Sequence, residues 1–443
     1  MTNVKPFNSA MQAPATLKER FVWLVYMGML FFLLYGSANE FASVTAPHLS
    51  LFWDWEKSIV FMPAFIVPYM SSDLVFVIAF LLVQTRFELR VLALRILFIL
   101  LVSVLIFLIF PLQFSFEKPA IDSFAFLFKL LEADKPFNQL PSLHVSFSIV
   151  FWFSMKSHIA NRGLKCLLAA WLTLVVLSTV FVFQHHFIDL PCGLLVGFLA
   201  VYLFKKGRNE SGLNLFMTPR HLKMALYYLI ACIVLMVLSF KISPLFMYLF
   251  ISMLSVSLIY AFGANHFLLA TNGKKNSIKW LLFAPYFLGC KLSWSFYKRA
   301  LPLFAKVDEG IFVGRHPSLC EYSKISTLGI DQVINLASEL QFNKTALIQH
   351  RFNFLDQTIQ DPASLHKVVL LIEEKKSQGV YVHCALGLSR SILVIWAWMI
   401  YKGKNNQEIK AHLTKIRPRY VQSKYMQINI DLYCEHLANK NSV

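Results

Sequence analysis

The chain has 443 residues, 57% of them hydrophobic, with a mean hydropathy of +0.56 and a formal charge of +18. That composition excludes an ordinary soluble globular protein and a disordered one. Residues 301–443 hold 17 basic and 12 acidic side chains, so most of the positive charge flanks apolar runs elsewhere, which excludes a nucleic-acid footprint as its cause.

A helix needs about 20 apolar residues to cross a bilayer. Runs near 21–38, 64–83, 91–110, 143–155, 166–183, 190–204, 224–240 and 245–268 predict transmembrane helices, the fourth and sixth of them short. The first run lacks a small-residue cleavage site and further spans follow it, so no cleavable signal peptide is expected. Arg86, Arg90 and Arg95 flank one loop, and Lys156, Arg162 and Lys165 occupy another. Lys205, Lys206, Arg208, Arg220 and Lys223 fill a third, and Lys274, Lys275 and Lys279 follow the last span. The positive-inside rule makes these segments cytoplasmic. An even number of spans puts both termini inside, in agreement with Lys18 and Arg20, and the expected location is a bacterial inner membrane.

Two polar clusters interrupt the apolar sequence at the opposite, outer face: Asn138-Gln139-Leu140-Pro141-Ser142-Leu143-His144 and Gln184-His185-His186-Phe187-Ile188-Asp189. Imidazole and carboxylate are costly at the edge of a hydrocarbon core and point to function. His185 and Asp189, four apart, can share a helix face. The carboxylate can then fix the imidazole tautomer, and a second histidine from the other cluster can act as an acid. Such a set performs phosphoryl transfer without metal or cofactor.

These clusters resemble the type-2 phosphatidic acid phosphatase (lipid phosphate phosphatase) superfamily. Its P-S-x-H motif is Pro141-Ser142-Leu143-His144, and its S-R-x5-H-x3-D motif fits Ser178-Thr179 through His185 to Asp189. The resemblance implies His185 as nucleophile, Asp189 as its orienter, His144 as acid and Ser142 as a phosphate contact. Thr179 replaces the motif arginine, and the K-x6-R-P motif is reduced to Lys118-Pro119, with Lys118 in the arginine's place against phosphate. Losing a bidentate arginine weakens recognition of a terminal phosphate. The same reductions, and the His-His pair, occur in the branch similar to inositol phosphorylceramide and sphingomyelin synthases, which implies headgroup transfer as the alternative to hydrolysis. This resemblance covers about residues 20–205.

Two spans follow in 206–300, then Trp280 to Leu288 and Trp294 to Arg299, whose mixture of Trp, Tyr and basic residues predicts an interfacial linker.

The C-terminal part carries Val382-His383-Cys384-Ala385-Leu386-Gly387-Leu388-Ser389-Arg390-Ser391. A cysteine, five residues and an arginine let one turn of backbone curl round a phosphate. Its amide N–H groups then form an anion nest at a helix start. That field favours the Cys384 thiolate, Arg390 offers a planar fork, and Gly387 lets the backbone approach closely. His383, Ala385, Leu386, Gly387, Leu388 and Ser389 are the expected phosphate-binding residues. Gly379–His383 reads as a buried strand into the loop and Ser391–Ile400 as a buried helix out of it.

This stretch resembles the dual-specificity branch of the protein tyrosine phosphatase superfamily, whose H-C-x-x-G-x-x-R-S signature is present in full. The resemblance runs over about residues 305–437, with Gly310–Gly314 and Ile330–Leu336 as strands. It implies a phosphocysteine intermediate on Cys384, a general acid at Asp356 (Asp361 being the alternative, or else a helix cap before Pro362), and Ser391 assisting the departure of the thiolate. The seven cysteines are scattered and odd in number, against a disulfide framework and a zinc site.

The expected architecture is therefore a multi-pass α-helical membrane domain plus a C-terminal α/β cysteine-phosphatase domain. It divides into a tail (1–20), a phosphatidic acid phosphatase-like domain (21–205), two further spans with the linker (206–300) and a cytoplasmic phosphatase domain (301–443). The expected function is bifunctional phosphatase chemistry in phospholipid metabolism. The expected partners are membrane lipids, lipid phosphates and phosphoproteins, and not nucleic acid. The alternative is a membrane-anchored protein tyrosine/serine phosphatase regulated by a lipid-binding membrane half.

Overall fold

The computed structural model describes residues 13–119, 123–132, 134–204, 218–264, 277–337, 339–340 and 347–441. Lys205, Lys206, Arg208, Lys274 and Lys275, used above to orient the spans, lie outside these residues. The chain divides into two compact units, Met1–Asn214 and Leu215–Val443.

The first unit is helical. Its elements are α1 (Leu17–Thr45), α2 (Ile66–Leu82), α3 (Arg86–Ile109), a short α4 (Ala125–Leu131), α5 (Leu143–Met155), α6 (Arg162–Phe181) and α7 (Asp189–Leu203). A Thr16/Glu19 capping box starts α1, and a Thr85/Glu88 box starts α3. Six helices among the described residues are long and apolar enough to cross a membrane. Four are in this unit (α1, α2 from Pro63, α3, α6), and Pro219–Lys241 and Leu245–Phe262 are in the second. The runs at 143–155 and 190–204, expected as short spans, are helices of 13 and 15 residues over nearly those bounds. At 1.5 Å per residue they reach roughly 20–23 Å, short of a ~30 Å hydrocarbon core.

These short helices are the centre of the unit. Gly193 and Gly197 of α7 lie against α5, where a Cβ on Gly193 would meet the Ser142 carbonyl oxygen at 2.7 Å and one on Gly197 the Ser146 carbonyl oxygen at 2.9 Å. Small residues four apart let two helices touch backbone to backbone, and Ser146 Oγ donates to the Gly193 carbonyl at 2.8 Å. The contact sets the N-termini of α5 and α7, and with them both polar clusters, side by side. Arg90 and Arg95 do not flank a loop but are buried within α3. Arg95 Nε donates to the Phe204 carbonyl at 3.0 Å, satisfying a backbone oxygen at the end of α7.

The second unit opens with an antiparallel pair, α8 (Pro219–Lys241) and α9 (Leu245–Phe262), joined by α10 (Ser277–Tyr297). A five-stranded sheet follows in the order β1-β2-β5-β3-β4. Its strands are β1 (Phe304–Asp308), β2 (Ile311–Arg315), β3 (Gln332–Asn335), β4 (Ile348–Arg351) and β5 (Val380–Cys384). β1 runs antiparallel to β2, and the other pairings are parallel. The sequence reading contained β2, β3 and β5 but neither edge strand, β1 nor β4. The helices packed on the sheet include α11 (Tyr322–Ser326), α12 (Pro362–Lys375), α13 (Arg390–Tyr401), α14 (Asn406–Ile416) and α15 (Lys424–Asn441). Every residue of β5 is buried, as expected of a central parallel strand, and α13 is apolar all round because it is enclosed. Trp294 of α10, expected at a lipid interface, is buried and donates its indole N–H to the His316 carbonyl at 2.9 Å.

Candidate active site

Strand β5 delivers Cys384 to the C-terminal edge of the sheet, where parallel sheets place ligands. Residues 385–389 then turn back into α13. The turn needs Gly387, which has φ +72°, and a Cβ there would lie 2.4–2.7 Å from the Gly314 and Arg315 backbone. The Ala385 and Leu388 carbonyls are engaged from outside the loop by His316 N and Val421 N, at 3.0 and 2.8 Å. With its carbonyls held outward, the loop has N–H groups to spare for its concave side. The Gly387 N–H lies 3.3 Å from Cys384 Sγ, and Ser391 Oγ lies 3.5 Å from it. Ser389 Oγ is bonded to Tyr425 OH at 2.9 Å. Leu386 is the remaining residue of the turn.

Arg390 is buried and forked onto Glu339, with Nη1 to Oε2 at 3.0 Å and Nη2 to Oε1. Nη1 also donates to the Phe354 carbonyl at 2.9 Å, and Nε sits 3.2 Å from Asp356 Oδ1. Burial alone would lower the Arg390 pKa, but the Glu339 and Asp356 carboxylates hold it well above its ordinary value, so the guanidinium stays charged. His383 is fully buried, with its ring on Tyr381 and His316 at 5.4 and 5.2 Å. Burial, helped by His316, pushes its pKa well below the usual range, so the ring is neutral. It therefore supports the loop from behind instead of lining the phosphate side.

Asp356 and Asp361 separate clearly in space. Asp361 caps α12, accepting from Ala363 N and Ser364 N. Asp356 stands beside Arg390 on a turn whose next residue, Gln357, has φ +55°. Gln360 ties that turn to the Leu355 carbonyl at 2.9 Å, and Asn429 Oδ1 accepts from Gln360 N at 2.7 Å. Sequence reasoning did not single out Glu339, Tyr425 or Asn429. The one readable signal was Glu339, an isolated carboxylate just past β3.

In the first unit, His185 Nδ1 is 3.0 Å from Asp189 Oδ2. The neighbouring His186 turns elsewhere: its Nδ1 is 3.3 Å from Glu56, its Nε2 is 3.0 Å from Ser50 Oγ, and its ring is stacked on Phe114. His144 stacks on Tyr69 at 4.2 Å and stands 6.3 Å, ring to ring, from His185. Ser142 Oγ and Asp189 Oδ1 are buried without a hydrogen-bond partner, the condition of a site awaiting a polar ligand or water. Lys118 is an exposed loop residue within electrostatic range of Asp134 and Glu132. Asp134, held by Tyr35 and Asn39, in turn feels His185. A cavity of about 350 Å³, lined by Phe31, Asp73, Phe76, His144 and Phe147 among others, adjoins this cluster. Glu56, Asp134 and Asp73 were legible as carboxylates in or beside apolar sequence but were passed over.

A buried cysteine at a strand end, a tight turn and a buried arginine at a helix start are the arrangement that a phosphate-binding loop requires. Residues 311–430 match the family model described as dual specificity phosphatase, catalytic domain, and the C-terminal domain is a phosphatase domain of this type. Solved structures to which the chain is similar include Tk-PTP in its active form, 22% identical over 30% of this chain and 97% of that one, TM-score 0.28. PTPMT1 in complex with PI(5)P is 20% identical over 31% and 99%, TM-score 0.29. Human DUSP28 is 18% identical over 31% and 99%, TM-score 0.29. No curated protein matches the chain.

Proposed function

We propose that the protein is a multi-pass membrane enzyme of phospholipid metabolism with two phosphoryl-handling sites, its termini in the cytoplasm of a bacterial cell. The observation that carries the reading is the meeting of Cys384, Gly387 N–H, Ser391, charged Arg390 and Asp356 at one sheet edge, in a chain with six helices fit to cross a bilayer.

In the phosphatase domain, Arg390 and the loop amides hold the phosphoryl oxygens while Cys384 Sγ attacks phosphorus. The S–P bond forms as the P–O bond breaks, and protonated Asp356 gives its proton to the departing oxygen. Water then attacks the phosphocysteine and yields its proton to Asp356. The S–P bond breaks, Ser391 Oγ donates to the leaving thiolate, and inorganic phosphate departs. Glu339 keeps the Arg390 fork oriented between turnovers.

In the membrane unit, His185 attacks phosphorus through the nitrogen not engaged by Asp189, and His144 protonates the departing oxygen. Ser142 Oγ, buried and unpaired, donates to the phosphate, with Lys118 as a counter-charge. Water or a second lipid hydroxyl then attacks the phosphohistidine and yields its proton to His144; the new P–O bond forms as the P–N bond breaks, freeing His185. The apolar cavity beside His144 suits an acyl chain.

The test is phosphate release from lipid phosphates by purified wild type, Cys384→Ser and His185→Ala. Separate losses in the two variants are expected. Full activity in Cys384→Ser on every substrate would remove the phosphatase domain from the reading.

A further inference from the structure

Helix α2 carries a charge where a membrane helix tolerates one least. Counted from Pro63 the span has 20 residues, Asp73 is the eleventh, and no other residue in it is charged. An acid at that depth is costly in hydrocarbon and marks a site when it faces a cavity. Among the described residues no hydrogen bond or ion pair engages Asp73.

Asp73 does face a cavity. It belongs to the wall of the space of about 350 Å³ beside His144, which is lined from α1, α2, α5 and α6. Printed in the packing of α2 on α5 is a series of layers. Tyr69 stacks on His144 at 4.2 Å. Two turns further along both helices, the Phe76 and Phe151 rings lie 5.9 Å apart. Asp73 and Ser148 fall between these contacts, each four residues past the first, so they sit about 6 Å deeper than the catalytic layer at 1.5 Å per residue. Ser72, Asp73, His144 and Ser148 are the only polar residues of the lining. Ser148 Oγ spends its proton on the His144 carbonyl at 2.7 Å. Of the lining residues only Phe32 of α1 and Asp73 of α2 are exposed, so the space opens between these helices.

The layers match the parts of a lipid phosphate. With phosphorus at His185 and the leaving oxygen at His144, the carbon backbone of the lipid comes level with Asp73 and its chain lies among the phenylalanines. A carboxylate accepts hydrogen bonds, and so do ester oxygens. A fully esterified backbone would therefore set acceptor against acceptor in an apolar space. A free hydroxyl or an amide N–H would complete the pair, and a site built to bond such a donor rejects the analogue that lacks it.

Resting on the His185 reading above, we propose that Asp73 is the specificity-determining residue of the membrane site: it accepts a hydrogen bond from the lipid backbone, so the site takes lipid phosphates with a free hydroxyl or amide N–H beside the phosphoester and disfavours fully esterified ones.

The test uses the full chain with Cys384→Ser in detergent micelles, so that only the membrane site turns lipid over. The probes are a 1-acylglycerol 3-phosphate, its 2-O-methyl ether, an N-acylsphingosine phosphate and a diacylglycerol phosphate. The kcat/KM of the donor-bearing lipids should exceed that of the ether and the diester at least about tenfold, the worth of a hydrogen bond to a charged group. A preference that includes the acylglycerol phosphate assigns the donor as hydroxyl, and one confined to the N-acyl lipid assigns it as amide. Asp73→Leu should bring donor-bearing and donor-free lipids within about twofold of each other, and Asp73→Asn, which keeps one acceptor oxygen, should fall between. An equal fall on all four lipids in both variants overturns the proposal, as does a preference for the diester that Asp73→Leu removes. If no lipid is turned over, displacement of a bound fluorescent lipid by the same four probes reads the site directly. An Asp73-dependent preference for the donors would then sink the His185 reading and uphold Asp73, and its absence would sink both.

Discussion

Arg220 Nε donates to the carbonyl oxygen of Gln357 at 2.9 Å, one residue past Asp356. The helix that leads into an apolar hairpin thus holds the turn that carries the proposed acid. A hydrogen bond from a charged group is worth about 1.5–3 kcal/mol. Arg220→Ala should therefore cut kcat by about tenfold on an alkyl phosphate, whose leaving oxygen needs a proton. The fall on p-nitrophenyl phosphate, whose leaving group is stable as an anion, should be several-fold smaller. Steady-state kinetics on the two substrates decides the matter, and an equal loss on both would make Arg220 a general fold contact.

The two candidate acids predict opposite phenotypes. Asp356→Asn should lower kcat on alkyl phosphates by about 10²- to 10⁴-fold and flatten the alkaline limb of the pH–rate profile, with little change in melting temperature. Asp361→Ala removes the cap of α12 and should cost about 1 kcal/mol of stability with kcat nearly intact. Kinetics and thermal unfolding on both variants test the assignment, and reversed phenotypes would exchange the two roles.

Legibility in the sequence followed the range of the interactions. The loop from Cys384 to Arg390 is local in the chain, so its spacing alone announced the turn. The His185–Asp189 pair was local too, four residues apart, although His185 lies in the loop before α7 and not on the helix face that the spacing suggested. Glu339 was missed because its meaning lies in Arg390, 51 residues away, and Glu56 because its partner His186 is 130 residues away. Hydropathy gave the long helices and marked 143–155 and 190–204 as short, yet it could not show that these two touch through Gly193 and Gly197, since apolar composition does not report a helix's partner. Strand β1 was hidden for a related reason: it is an edge strand with mixed burial and no apolar run.

Gly387→Ala should abolish activity without unfolding the chain. The new Cβ would meet the Gly314 carbonyl carbon at 2.4 Å, and φ +72° is itself costly for alanine. The loop must therefore open and lose its concave row of N–H groups. A fall in kcat of more than about 100-fold is expected, by comparison with the loss of preorganised donors, while the far-UV circular dichroism is unchanged. Wild-type rates in this variant would mean that the loop binds phosphate in a more open form.

The Arg315–Glu321 pair gives the phosphatase domain an acid-dependent component of stability. Arg315 hydrogen bonds, with further help from Ser318, pull the Glu321 carboxyl down to about 2 from an ordinary 4.5. Because the folded pKa is depressed, the stabilisation is complete above pH 4.5 and drains away as the pH falls towards 2. Glu321→Gln should melt below wild type at pH 7, and the gap should close progressively below pH 4.5. A gap that stays constant down to pH 3 in fluorescence-monitored melts would assign the stability to packing.

The adjacent histidines of the first unit separate its chemistry from its architecture. His185 faces Asp189, whereas His186 is tied to Glu56 and Ser50 and stacked on Phe114. In a Cys384→Ser background, which silences the phosphatase domain, His185→Ala should remove the remaining lipid turnover altogether. Asp189→Asn should reduce it by at least about 100-fold, because the carboxylate that fixes the imidazole tautomer is gone. His186→Gln should retain most of the rate at low temperature but melt earlier, since a buried carboxylate, Glu56, loses one of its donors. His144 stands 6.3 Å, ring to ring, from His185 as the proposed acid, so His144→Ala should lose turnover with His185→Ala. Turnover that survives both and disappears in His186→Gln would move the nucleophile to the other imidazole and place the chemistry against Glu56.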